Sequence, residues 1–210
     1  MEEELKALLR RLSQSSMHPP LFEPILNGDT DQVKKLLEEG EDKDKKWAVR
    51  GHTPLTLAAE RNNVDIVTVL LRYGADVSIT YDEGWSPLMI SAFRGNCEIA
   101  SVLMANKANV EQRLEKTGAT ALILAVEQNQ LKMVELLLEK GGANVNVTND
   151  DGLSPLMKSA FEGNCEIASV LMAHKANVEQ RSEKTGHTAL IIAVEENHHD
   201  FVAHLLQEER

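Results

Sequence analysis

The chain has 210 residues, with 33 Asp and Glu against 22 Lys and Arg, a formal net charge of −11 and only 4% aromatic residues. The acidic excess repels a phosphate backbone and argues against nucleic acid as a partner. No apolar run approaches the roughly 20 residues of a membrane span, and the start MEEELKALLRRL lacks a signal-peptide pattern, so the chain reads as soluble and cytoplasmic, with the nucleus left open.

Residues 1–16 open with Leu5, Leu8, Leu9 and Leu12 at helical spacing, Glu2, Glu3 and Glu4 ahead of them and Arg10 and Arg11 behind. This predicts a short amphipathic helix. Its leucine stripe is expected to cap the first repeat, or else to dock on a partner or a second copy. Residues 19–52 follow as a degenerate first unit: Leu21, Phe22, Ile25 and Leu26 mark one helix starting near Pro24, and Val33, Leu36 and Leu37 mark a second ending at Gly40. The charged run Glu41 to Lys46 stands where a loop sequence is expected and suits an outer unit facing water.

From Thr53 the chain is periodic. TPLT at Thr53, SPLM at Ser86, TALI at Thr120, SPLM at Ser154 and TALI at Thr188 recur every 33 or 34 residues and divide it into units 53–85, 86–119, 120–153, 154–187 and an incomplete 188–210. Each opens with a Thr or Ser that caps a short helix, turns at Asn or Gly, and runs through a second helix into GADV, KANV or GGANV. One such pair cannot bury its own apolar face, so the units must stack. Cys97 and Cys165 hold the same place two units apart, beyond disulfide reach, and read as buried, reduced thiols. The stop after a second helix reads as the edge of a longer array.

A unit of this length reading G-x-T-P-L, two short helices and G-A-D/N-V resembles the ankyrin repeat over residues 19–210. The resemblance implies an all-α solenoid of about six stacked antiparallel helix pairs with β-hairpin finger loops, whose fingers and first helices line a concave recognition face. Three departures stand out. The His of the family's T-P-L-H is replaced by Thr56, Met89, Ile123, Met157 and Ile191, which shifts weight to apolar packing. Lys107 and Lys175 stand where Gly normally ends the second helix and are expected to hold a left-handed conformation at a cost of about 1 kcal/mol. Gly141 and Gly142 carry one extra residue, predicting a small bulge.

Residues 86–129 return almost verbatim as 154–197, with seven differences. Ile90/Lys158, Arg94/Glu162, Ala119/His187, Leu124/Ile192 and Gln128/Glu196 are expected on finger tips or the concave side; Asn106/His174 and Leu114/Ser182 are the others. On the same face the register places Trp85, Phe93, Leu153 and Phe161, with Tyr81 near by, as interface anchors. Asp82, Glu83, Asp150, Arg50, His52 and Lys116 complete the expected partner-binding set, and further acids make the rim net acidic. Such a face suits a protein or peptide of basic or mixed charge, bound by a monomeric scaffold or adaptor.

No Ser-His-Asp arrangement, Gly-rich phosphate loop or Cys-x-x-Cys appears, so neither catalysis, cofactor nor metal is expected, and His198, His199 and His204 read as a polar outer cap. Asn146 is similar to the asparagine that hydroxylases modify in ankyrin repeats. Two other functions stay open: self-assembly through the leucine stripe or the last repeat, and a small-molecule sensor. The latter rests on Gly84-Trp85-Ser86-Pro87-Leu88, which is similar to a Gly-Trp-Thr-Pro-Leu of an oligoadenylate-binding ribonuclease family with such repeats.

Overall fold

The computed structural model describes residues 19–48 and 51–208; the predicted N-terminal helix and Arg50 lie outside the described residues. Twelve α-helices follow one another there in six pairs, with no β-strand among the described residues. The pairs are α1 (Phe22–Asn27) with α2 (Thr30–Glu38), α3 (Pro54–Glu60) with α4 (Val64–Arg72), and α5 (Pro87–Arg94) with α6 (Cys97–Ala105). They continue with α7 (Ala121–Glu127) and α8 (Leu131–Glu139), α9 (Pro155–Glu162) and α10 (Cys165–Ala173), and α11 (Ala189–Glu195) and α12 (His199–Glu208).

Local chemistry sets the ends of these helices. The hydroxyls of Thr53, Ser86, Ser154 and Thr188 accept the amides of Thr56, Met89, Met157 and Ile191, and Pro54, Pro87 and Pro155 sit in the first turn, where no amide is needed. Thr120 departs from the expected cap: its hydroxyl is buried without a partner. The turn inside each pair is left-handed, at Gly28, Gly95 and Gly163 or at Asn62, Asn129 and Asn197. After the second helix, Lys107 (φ 67°) and Lys175 (φ 66°) hold the left-handed conformation expected of them. The extra residue at Gly141 is absorbed in the turn, because Ala143 N–H reaches back to Leu137 O, one residue further than Ala108 to Leu103. A Cβ on Gly141 would lie 2.6 Å from Leu137 O, so the bulge requires glycine.

First helices stack on first helices and second on second, and the first row packs more closely. Small buried residues permit this approach: Ala58, Ser91, Ala125, Ser159 and Ala193 occupy one position of α3, α5, α7, α9 and α11. The stack therefore curves toward the first-helix side. In the family's histidine slot Met89, Ile123 and Met157 are fully buried, so apolar packing does replace the missing polar contact. Cys97 and Cys165 are free and only half-buried, at the first positions of α6 and α10, rather than fully enclosed.

The fingers are tight loops rather than β-hairpins. In each the first N–H bonds the last carbonyl, Trp47 to His52 O, Tyr81 to Trp85, Leu114 to Ala119, Asn149 to Leu153 and Ser182 to His187, and the glycine before the last residue bonds the first carbonyl; among the described residues only Tyr81 and Trp85 form an isolated bridge. The five or six residues of each finger leave no length for a second strand pair. Neighbouring fingers are laced instead, with Glu115 N–H bonding Glu83 O and Asp150 N–H bonding Thr117 O. On the loops after the second helices, Asp42, Asp76, Asn109, Asn144 and Asn177 each accept the amide two residues on, and Asp44, Glu111 and Asn146 accept the amides of Asp76, Asn144 and Asn177 in the next loop. The run Glu41 to Lys46 is thus the first member of this ladder.

Candidate recognition face

Two positions, the last residue of the finger and the eighth residue from the capping Thr or Ser, recur in each repeat, and in the second, third and sixth repeats they meet above the first helix. They hold His52 and Glu60, Trp85 and Phe93, Ala119 and Glu127, Leu153 and Phe161, and His187 and Glu195. His52 Nε2 lies 3.5 Å from Glu60 Oε2, and His187 Nδ1 lies 3.1 Å from Glu195 Oε2. Trp85 and Phe93 meet edge to face with centroids 5.5 Å apart. The pair is apolar in the third repeat (Trp85, Phe93) and the fifth (Leu153, Phe161), ionisable in the second and sixth, and mixed, Ala119 with Glu127, in the fourth. Phe93 is 39% and Phe161 50% exposed, while Trp85 and Leu153 are half-buried. The aromatic faces are held on capped helices and remain open to water.

Charge on this face is largely paired across repeats. Arg94 Nη2 donates to Glu60 at 2.9 Å, Lys158 bridges Glu127 and Lys184 bridges Asp151 at 2.6 Å, Arg113 meets Asp150 at 3.1 Å, and Lys116 pairs with Glu83. The Lys184 ammonium holds the Asp151 carboxyl below its usual range. Asp82, Glu115, Glu162 and Glu183 are exposed and have no cation at ion-pair distance among the described residues. Tyr81 stacks on His52 with centroids 4.2 Å apart; burial first, and the Glu60 carboxylate second, push its phenol above the ordinary tyrosine value.

Several expected contact residues are not presented. His52, Ile90, Ala119, Leu124 and Ile192 are buried. Ala119 and Leu124 belong, with Leu114, Met89 and Ile123, to a small apolar cluster under the fingers against which Trp85 packs, and His52 is enclosed by Tyr81 and Thr56. The Leu124/Ile192 and Leu114/Ser182 differences are thus interior exchanges, whereas Arg94/Glu162 and Gln128/Glu196 are exposed in both copies. Ile90/Lys158 and Ala119/His187 pass from buried to half-buried. Asp82, Glu83, Arg94, Lys116, Asp150, Phe161 and Glu162 are exposed as placed, and Arg50 lies outside the described residues.

Asn146 is part of the repeat-to-repeat ladder: its Oδ1 accepts Asn177 N–H at 2.7 Å and its carbonyl accepts Gln180 Nε2. His198 and His204 also tie the last pair to the one before, through Phe161 O at 3.0 Å and the Ser169 hydroxyl at 2.8 Å. No group of three or more His, Cys, Asp or Glu among the described residues is placed to hold a metal ion, and no helix there is long and apolar enough to cross a membrane.

Sequence reasoning missed Asn149. Its buried Oδ1 accepts the amides of Asp151 and Leu153 and so fixes the finger that presents Leu153. The inter-repeat ion pairs were missed as well, although opposite charges about one repeat apart signal them.

Stacked two-helix units laced through their fingers define a helical-repeat solenoid. The family model for ankyrin repeats (3 copies) matches residues 5–81, 21–113, 73–149 and 141–210, and the chain belongs to the ankyrin repeat family. It is 34% identical over 167 residues to the ankyrin repeat protein FPV031 of fowlpox virus, covering 77% of this chain and 49% of that protein. It is 30% identical over 234 residues to the human 2-5A-dependent ribonuclease (90% and 32%), and 29% over 161 residues to the chicken nuclear factor NF-kappa-B p105 subunit (75% and 16%). The chain thus spans half or less of these relatives. The crystal structure of EF0377, an ankyrin repeat protein, superposes with a TM-score of 0.82 at 28% identity, covering 90% of this chain and 96% of that one. Ankyrin repeats generally act as non-enzymatic modules of protein–protein interaction.

Proposed function

We propose that the chain is a non-catalytic scaffold or adaptor module of the cytoplasm that captures a protein partner across its fingers and first helices. The observation that carries this reading is the pair of phenylalanines, Phe93 and Phe161, held with 39% and 50% of their surface open on capped helices in a chain with few aromatics. Large rigid rings of this kind lose little entropy on binding and contribute much apolar area. A pull-down compares the wild type with Trp85→Ala/Phe161→Ala and with Lys132→Ala on α8 as a control. Partners retained by the wild type and the control but lost by the double variant support the reading; identical capture by all three removes it.

A second reading has an observation of its own. Ile191, Val194 and Leu206 on the last described pair are 37%, 58% and 49% exposed, whereas their counterparts Ile123, Val126 and Leu138 are buried under the next repeat. Self-association through this surface would appear in sedimentation as a concentration-dependent dimer abolished by Val194→Glu. The sensor reading fits less well. Carried to this chain, the 2-5A dependence of the human ribonuclease would need cations for phosphates, and Arg94 and Lys116 beside Trp85 are engaged by Glu60 and Glu83.

A further inference from the structure

The two apolar pairs on the first-helix side, Trp85 with Phe93 and Leu153 with Phe161, are two repeats apart, and the repeat between them presents a paired Glu127 rather than a third apolar surface. Helices pack about 8–10 Å apart, so the two anchors lie roughly 20 Å from one another along the stack. An extended chain advances about 3.3 Å per residue and sends alternate side chains to opposite faces, so about six residues cover that span with both side chains on one face. Spacings of four fall short, and a spacing of five turns the second side chain away. A helical ligand would need about 13 residues for the same reach.

Charge defines the ligand further. Arg94, Lys116, Lys158 and Lys184 are each satisfied by a carboxylate of a neighbouring repeat, whereas Asp82, Glu115 and Glu183 on the finger tips and Glu162 at the end of α9 are not. Arg181 on the last finger donates only to Gly186 O and is the counterweight, so the unpaired charge flanking the apolar anchors is mainly negative, and it favours lysine and arginine at the solvent-facing positions of a bound strand.

Resting on the recognition reading above, we infer that the ligand is an extended, basic peptide segment carrying two large apolar side chains six residues apart, one lodged at Trp85/Phe93 and the other at Leu153/Phe161.

The test uses fluorescence anisotropy with synthetic lysine-rich peptides carrying two phenylalanines at spacings of four, five, six and seven residues. The inference expects the six-residue spacing to bind about tenfold tighter than four or five, and this advantage to vanish in Phe93→Ala and in Phe161→Ala while circular dichroism stays that of the wild type. Binding indifferent to spacing, or no binding of any of these peptides, overturns it. A parallel selection of random displayed peptides on the wild type separates the two levels. Selected binders that lose affinity in Phe93→Ala/Phe161→Ala but lack the six-residue pattern leave the face standing and remove the inference. Selected binders indifferent to both substitutions remove both.

Discussion

Lys158 occupies a position that in the other repeats is Leu57, Ile90, Leu124 or Ile192, all buried. Its side chain is 21% exposed, its ammonium is 2.6 Å from the Glu127 carboxylate, and that side chain is 26% exposed. Burying a whole isoleucine contributes about 1.5–3 kcal/mol, but the Lys158 stem already covers part of the slot, so the exchange alone gains about 1 kcal/mol. Lys158→Ile also forfeits an ion pair worth up to about 1 kcal/mol, and the net change is close to zero. Glu127→Ala leaves the ammonium half-buried without its partner and costs about 1–2 kcal/mol. With both changes the slot is apolar and no charge is stranded, so the double variant should match or exceed the wild type, with a coupling of about 1 kcal/mol. Urea unfolding followed by circular dichroism measures the cycle, with matching Tm shifts of about 2–4 °C per kcal/mol. Additive single effects would refute the pairing and, with it, the view that a charge is kept on this face at no gain in packing.

Further outcomes follow from the same geometry. Lys107→Gly and Lys175→Gly should each stabilise the fold by up to about 1 kcal/mol, read as a higher Tm, because both lysines hold positive φ; a lower Tm contradicts the strain. Asn149→Ala should cost about 1–3 kcal/mol and loosen the finger at Leu153, seen as faster amide exchange at Asp151 and Leu153. The Tyr81 phenol is raised by burial and then by the Glu60 carboxylate, and that of the exposed Tyr73 by partial desolvation and its hydrogen bond to Glu38, so tyrosinate absorbance should rise only above the usual tyrosine value of about 10. Since the folded state disfavours the phenolate, the stability held by Tyr81 is complete below that pH and is lost as the pH climbs through the raised value. Tyrosinate appearing at or below the ordinary pH in the folded protein contradicts its enclosure.

The fold was legible because the chain repeats itself. The Thr and Ser caps, the Asn and Gly turns and the left-handed lysines are local chemistry repeated in register, and each copy supports the others. Depth on the recognition side was harder to read. Leu124 sits on the helix side that faces the fingers, but whether such a side chain reaches water depends on how far the finger folds over it, and Leu114 and Ala119 close that space. The β-hairpins implied by resemblance shrank to tight loops because five or six residues leave no length for a second strand pair. That Trp85 meets Phe93 while His52 meets Glu60 follows only from the fold, which brings finger and helix positions together.

The central claim is that partners are held by fingers and first helices. Hydrogen–deuterium exchange on the chain with and without a captured partner tests it most directly. Protection should concentrate in residues 81–94 and 149–162, leaving α6 (97–105) and α8 (131–139) unchanged. Protection centred on α6 and α8 instead would contradict it.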